Sequence, residues 1–237
     1  MKRAFIIFLS LLVAINGFTQ RAIDTSEYIQ IGGIKQYISV KGADNTNPVL
    51  LFLCGGPGSS VMDVADKFTG KLQKSFVVVE WDQRETGKTL QLNSSPQPLT
   101  VSLMQRDTKE LIDSLLVQFR QNKLYLMAHS WGTTLGLYIA GKYPELFDAY
   151  IAISPMVNQL QSEQMTLSML KSKAEKEGNK TEVEELSKVQ ILFANWEQMY
   201  FARKWLFSFN GQSIGDSDTA AVKGYVAGWV DLAVRLE

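Results

Sequence analysis

The chain has 237 residues, of which 46% are apolar and 20% are charged, a composition typical of a globular protein with enough apolar residues for one large core. Basic and acidic residues are balanced at 24 each, so no positive surplus favours binding to nucleic acid or to an anionic membrane surface. The single cysteine, Cys54, excludes an intrachain disulfide.

Residues 1–19 have the pattern of a signal peptide. Lys2 and Arg3 precede an apolar run over residues 4–15, and small or polar residues follow as far as Thr19. The run is shorter than the roughly 20 helical residues that span a bilayer core. We therefore expect cleavage after Thr19 and export to the periplasm or the extracellular space, with no stable membrane insertion of the mature chain.

Beyond the signal segment, strand and helix patterns alternate. Two short alternating runs around Gly32 and Gly33 predict a β-hairpin. Helical patterns, the first with Ser102 and Gln105 as a capping box, lie between later apolar runs. The alternation predicts an α/β fold with a mostly parallel sheet and an antiparallel hairpin at its edge. The apolar runs that predict strands buried on both faces are residues 48–54, 75–83, 124–128 and 149–154, and the helical patterns are residues 102–120 and 132–143.

The strand patterns stop after residue 157. The rest of the chain has helical patterns, interrupted at Gly178 and Asn179. We therefore divide the chain into a signal peptide (1–19), the N-terminal part of an α/β core (20–157) and an incomplete helical cap (158–237).

Ser130 is the candidate nucleophile. It lies between Ala128 and Gly132, where a strand pattern gives way to a helix pattern, so it occupies a tight turn at the carboxyl edge of the sheet. Such a turn forces the serine into a strained backbone conformation that exposes its hydroxyl. Small residues are needed on both sides because a larger side chain would strike the adjacent strand or helix.

A glycine-rich segment, Cys-Gly-Gly-Pro-Gly at residues 54–58, ends an earlier parallel strand. Attack on a carbonyl creates an oxyanion, and backbone N–H groups near the nucleophile stabilise it. Glycines let the main chain approach the substrate closely. The predicted oxyanion donors are the N–H groups of Gly56 and Trp131.

Three segments in this order, residues 51–60, 77–89 and 126–137, resemble the prolyl aminopeptidase (proline iminopeptidase) family of α/β-hydrolase serine peptidases. That family has the motifs H-G-G-P-G, D-Q-R-G-x-G-x-S and G-x-S-W-G. The resemblance covers about residues 28–157. It implies an α/β-hydrolase fold and release of N-terminal residues, often proline, through an acyl-enzyme and without a cofactor.

The chain departs from those motifs at four positions, none of which removes the nucleophile or a backbone donor. We expect Asp82 and Arg84 to hold the motif loop beneath the site as an ion pair or turn cap. A catalytic role for the strand-end thiol is not expected, because the sequence gives it no activating partner. The departures are Cys54 for histidine, Glu85 for glycine, Thr89 for serine and Ala128 for glycine.

The resemblance also implies that acidic side chains from the helical cap bind the free amine of the substrate. Trp196 and Glu197 lie in the cap segment and are similar to a cap element of the family. Glu197 is the candidate amine-binding residue, and an exposed helical glutamate without that role is the alternative.

The general base is missing from the sequence. On this fold the acid and the histidine follow the serine, yet His129 is the only histidine and directly precedes Ser130. Adjacent residues at a strand end point to opposite sides, so His129 is not expected to reach its neighbour's hydroxyl. We therefore expect this chain to be the N-terminal part of a longer hydrolase, nearly inactive as given, with the triad acid and histidine beyond residue 237.

Three functions remain open at this point. The first is an exported serine aminopeptidase acting on small peptides or amides through Ser130. The second is an esterase on small acyl esters, which an apolar cap would favour, and the third is a non-catalytic binding protein that has lost its base. The sequence shows no metal-ligand cluster and no phosphate-binding loop.

The predicted signal peptide can be tested by expression with a functional secretion system. We expect the exported protein to begin at Gln20, and we expect Lys2→Glu combined with Arg3→Glu to block export, because the positive n-region is lost. Intact-mass spectrometry of the exported and cell-retained fractions measures both effects. An exported chain that still carries residues 1–19 would contradict the prediction.

Overall fold

The computed structural model describes residues 21–191, 193 and 195–209, so the predicted signal peptide lies outside the described residues. Six strands and seven α-helices are present there, together with two short 3₁₀ turns. The strands are β1 (Ile23–Ile31), β2 (Ile34–Gly42), β3 (Val49–Leu53), β4 (Val77–Asp82), β5 (Leu124–His129) and β6 (Phe147–Ile153). The helices are α1 (Asp66–Thr69), α2 (Gly87–Leu92), α3 (Val101–Gln118), α4 (Gly132–Lys142), α5 (Gln159–Glu177), α6 (Lys180–Ser187) and α7 (Trp196–Ser208).

The strands form one sheet in the order β1-β2-β4-β3-β5-β6. Strands β4, β3, β5 and β6 are mutually parallel, while β2 pairs antiparallel with both β1 and β4. The predicted mostly parallel sheet with an antiparallel hairpin at one edge is therefore confirmed. Because β3 and β5 are neighbours, their carboxyl ends, and the motifs that follow them, meet at one edge of the sheet.

Helices α3 and α4 pack against this sheet and bury the main core, which includes Leu51, Leu111 and Leu126. Helix α4 comes close to β6 at Gly136, where a β-carbon would lie 2.7 Å from the ring of Tyr150. The N-cap of helix α3 lies two residues before the predicted capping box. It is Thr100, whose hydroxyl accepts a hydrogen bond from the Leu103 amide, rather than Ser102.

A buried ion pair joins the loop after β4 to helix α3. The Arg84 guanidinium donates to both carboxylate oxygens of Asp107, at 2.9 Å and 3.1 Å, and both side chains are 1% exposed. Arg84 also donates to the Gly32 carbonyl at 2.8 Å, and Gln36 donates to Asp107 at 2.8 Å. The predicted structural role of Arg84 is thus seen in its contacts, but its partner is Asp107 and not Asp82.

Helices α5, α6 and α7 pack on one another around a second apolar cluster that includes Leu170, Leu186 and Ala202. The predicted break in this region is confirmed. Gly178 ends α5 in the left-handed conformation, and the Asn179 side chain caps α6 by accepting a hydrogen bond from the Glu182 amide. No helix in the described part of the chain combines the length and the apolarity needed to cross a membrane.

Strand β6 forms one edge of the sheet, and none of the described residues pairs with its outer side. Ile151 and Ile153 on this strand are 42% and 41% exposed. An edge strand with exposed apolar side chains and unpaired backbone groups favours pairing with another chain.

We expect Asp107→Asn to destabilise the protein by about 3 kcal/mol, because it leaves the Arg84 guanidinium buried beside a neutral group. Urea denaturation measures the change in the free energy of unfolding. The matched control is Asp113→Asn on the same helix, where the Lys109–Asp113 pair is partly exposed and removal should cost under about 0.5 kcal/mol. Equal effects of the two substitutions would contradict the prediction.

We expect Ile151→Lys to reduce self-association of the protein, because a lysine on the edge strand hinders strand pairing. The free energy of unfolding should change by less than about 1 kcal/mol, since Ile151 is already half exposed. Light scattering over a concentration series measures association. Val117→Lys, at an exposed position on α3, is the control and should leave association unchanged.

Candidate active site

Ser130 lies in the turn between the end of β5 and the start of α4. Its φ angle is +50°, a left-handed conformation that is strained for a residue with a β-carbon. Its amide donates to the Ile153 carbonyl at 3.0 Å, and its carbonyl accepts from the Thr133 amide at 2.9 Å. The turn is therefore held by β6 on one side and by the first turn of α4 on the other.

The small residues around Ser130 are required by the approach of β3. A β-carbon on Gly132 would lie 2.3 Å from the Leu53 carbonyl oxygen and 2.7 Å from that of Cys54, far inside van der Waals contact. Ala128 is fully buried in the core. These contacts explain why glycine is needed at position 132, whereas alanine is accommodated at 128.

The glycine-rich loop at residues 54–58 lies directly against this turn. A β-carbon on Gly55 would be 3.3 Å from the β-carbon of Ser130 and 3.3 Å from Nδ1 of His129. Gly56 and Gly58 have φ angles of +131° and +86°, which other residues rarely adopt. The structure thus brings together the two motifs that the sequence analysis singled out.

The N–H groups of Gly56 and Trp131 are not engaged within the described part of the chain, where neither donates a hydrogen bond. Both residues are only half-buried. The role of these two N–H groups as oxyanion donors stays a prediction.

Beneath the loop lie buried polar groups at the ends of β3 and β4. Burial, followed by the charge of Asp82, raises the pKa of the Cys54 thiol to about 12, so the sulfur remains protonated and is a poor nucleophile. Asp82 accepts a hydrogen bond from the Lys88 amide at 2.8 Å and thereby caps the start of α2, which fits its predicted role as a turn cap. Burial raises the pKa of this carboxyl as well.

Two substitutions in the motif loop are accommodated by new or retained hydrogen bonds. Thr89, where the family motif has serine, keeps the hydroxyl: it donates to the Asp82 carbonyl at 2.6 Å and accepts from the Tyr37 amide at 2.8 Å. Glu85, where the motif has glycine, has a φ angle of +59°, and its carboxylate accepts a hydrogen bond from the Ser95 amide.

His129 is exposed and its ring lies against Gly55. No hydrogen bond among the described residues joins His129 to Ser130, so the structure gives no support to His129 as the base. The identity of the base and its acid partner stays a prediction.

Glu197 lies in the first turn of α7 and is exposed. None of the described hydrogen bonds or ion pairs connects it to Ser130 or to the loop at residues 54–58. Two other acidic residues of the cap are paired: Glu163 with Arg203, and Glu185 with Lys204 and the Trp205 indole. The described residues also contain no group of three or more metal-binding side chains.

Comparison with known proteins identifies a family to which the sequence of this chain is similar. Residues 49–202 match the model of the family described as serine aminopeptidase, S33. A probable aminopeptidase of Bacillus subtilis, YbaC, is 37% identical over 139 residues, which are 59% of this chain and 44% of that protein. A proline iminopeptidase of Thermoplasma volcanium is 29% identical over 116 residues, which are 49% of this chain and 37% of that protein. The chain therefore spans less than half the length of these two relatives.

The fold is shared with a solved structure. The crystal structure of a proline iminopeptidase-related protein from Thermus thermophilus has a TM-score of 0.53 and 22% identity, over 87% of this chain and 73% of that one. This structure confirms the α/β-hydrolase fold, and the family match and the two relatives confirm the resemblance based on the three motifs. The family match covers well over half of the 237 residues, and the chain belongs to the serine aminopeptidase, S33, family of α/β-hydrolases.

Proposed function

We propose that Ser130 is the nucleophile of a serine aminopeptidase that releases N-terminal residues, proline among them, from small peptides or amides. The observation that carries the proposal is the left-handed Ser130 beside a glycine loop, with the N–H groups of Gly56 and Trp131 unengaged. The family to which the chain belongs supports the reaction class.

In the proposed reaction, the Ser130 hydroxyl oxygen bonds to the carbonyl carbon of the scissile amide. The carbonyl oxygen becomes negatively charged and accepts hydrogen bonds from the Gly56 and Trp131 amides. The hydroxyl proton passes to a base and then to the leaving amine, the C–N bond breaks, and an acyl-enzyme remains on Ser130. Water then attacks the acyl carbon, its proton passes through the base to the Ser130 oxygen, the ester bond breaks, and the N-terminal residue leaves with a free carboxyl group.

The 237 residues contain no histidine other than His129, so we expect proton transfer from the Ser130 hydroxyl to be the slow step of the reaction. An oxyanion hole and substrate binding alone give about 10³ to 10⁴-fold acceleration over water in the serine protease case. We therefore propose that this chain by itself acylates slowly and that an external base accelerates it.

Recognition of the free amine is assigned to the cap. Glu197 is proposed as its anchor on the strength of the family resemblance and of its exposed position at the start of α7. A carboxylate that pairs with the ammonium group would restrict the enzyme to unblocked N-termini.

The function is tested by supplying the base chemically. We expect imidazole to increase hydrolysis of prolyl- and alanyl-aminomethylcoumarin by the 237-residue protein, and Ser130→Ala to abolish the increase. A fluorophosphonate should label Ser130 slowly. The rate at which it labels Ser130 in the His129→Ala variant should lie within about twofold of the parent rate, because His129 is not the proposed base. Fluorescence and peptide mass spectrometry measure the two readouts.

N-acetylated versions of the same substrates are the matched control for amine recognition. Equal turnover of blocked and free substrates would overturn the aminopeptidase proposal, and preferential turnover of p-nitrophenyl acetate would indicate an esterase. Rapid labelling of Ser130 without imidazole would overturn the proposed lack of a base, and no labelling under either condition would leave a binding protein.

A further inference from the structure

The loop at residues 55–60 contains a turn over residues 56–58. Among the described residues, no amide or carbonyl of this loop makes a close hydrogen bond to a backbone group outside the loop, although the residues before and after it do. Three glycines within six positions make the loop intrinsically adaptable. Side-chain contacts with the neighbouring strands therefore contribute to its position beside Ser130.

The side chain of Cys54 supplies a contact across the loop. Its thiol donates to the Ser59 carbonyl at 3.3 Å, which closes the loop over five residues. The sulfur in turn accepts from the Gln83 side-chain amide at 3.9 Å. Both Cys54 and Gln83 are 2% exposed, so water has little access to the sulfur, while Ser59 is half-buried.

The thiol is suited to this role only as a donor. Burial keeps its pKa far above neutrality, so the proton needed for the bond to Ser59 is present throughout the physiological range. Gln83 directly follows β4, while Cys54 directly follows β3. The two contacts therefore tie the loop to two neighbouring strand ends.

We propose that Cys54 is a positioning residue that clamps the loop through Ser59 and so holds the Gly56 N–H toward the oxyanion formed at Ser130. The inference rests on the proposed function of Ser130. The role depends on the hydrogen bond of the thiol and not only on the volume of the cysteine side chain. Loss of a complete oxyanion donor costs about 10² to 10³-fold in kcat, so a loosened donor should cost about 10-fold.

The alternative is that Cys54 only fills space in the apolar cluster with Leu50, Phe52 and Val78. Three substitutions separate the two roles. Cys54→Ser retains a donor, Cys54→Val retains bulk without a donor, and Cys54→Ala retains neither. The matched control is Val78→Ala, which removes volume from the same cluster and makes no hydrogen bond with the loop.

The first readout is independent of catalysis. We expect the ¹⁵N order parameter of the Gly56 amide in the 237-residue protein to be near 0.85 in the parent and in Cys54→Ser, and to fall below about 0.6 in Cys54→Val and Cys54→Ala. Val78→Ala should lower the melting temperature and leave the Gly56 order parameter unchanged. Melting curves verify that each variant is folded.

The second readout is imidazole-assisted turnover. We expect kcat to fall about 10-fold in Cys54→Val with KM within about twofold of the parent, and Cys54→Ser to restore most of kcat. The proposed clamp is overturned if the loop stays rigid in Cys54→Val. It is also overturned if a variant with a mobile loop has the same kcat as a variant with a rigid loop. If Ser130 shows no turnover or labelling in any variant while the order parameters change as expected, the proposed function fails and the loop contact itself stands.

Discussion

Every feature of the candidate site depends on the left-handed conformation of Ser130, which the surrounding backbone has to enforce. A carbonyl of β6 accepts a hydrogen bond from the Ser130 amide, and an amide of α4 donates to the Ser130 carbonyl. Strand β3 comes so close that position 132 has no room for a β-carbon. The strain is local, but the groups that hold it come from three neighbouring elements of the fold. The position of Ser130 therefore depends on the register in which β3, β5 and β6 pair.

The polar groups of this region divide into a paired set and an unengaged set. Arg84 and Asp107 pair with each other, and Arg84 links the turn of the hairpin to α3 through the Gly32 carbonyl, so the pair stabilises the loop after β4. The predicted oxyanion donors, the N–H groups of Gly56 and Trp131, belong to the backbone and form the unengaged set. Backbone donors cost no charge burial, and they are fixed in direction by the strands that carry them.

Local patterns in the sequence predicted the parts of the molecule that local geometry determines. The turn at Ser130, the glycine loop and the break at Gly178 all depend on residues within a few positions of one another. The partner of Arg84 could not be found in this way, because Asp107 lies on a helix whose pattern indicated only an apolar face. The N-cap of α3 was misplaced by two residues, since Thr100 and Ser102 are both competent caps and only the packed helix distinguishes them. The distance between Glu197 and Ser130 depends on how the cap packs, which no local pattern encodes.

Glu85 shows that the motif loop of this chain is not interchangeable with that of a glycine-bearing relative. A glutamate in a left-handed conformation is tolerated here because its carboxylate reaches the amide of Ser95, ten positions further along. Replacing Glu85 by glycine would relieve the backbone and at the same time release the segment around Ser95. The two positions are therefore coupled. A loop moved from this chain into another family member would keep the left-handed conformation at Glu85 but lose the hydrogen bond to Ser95 that stabilises it.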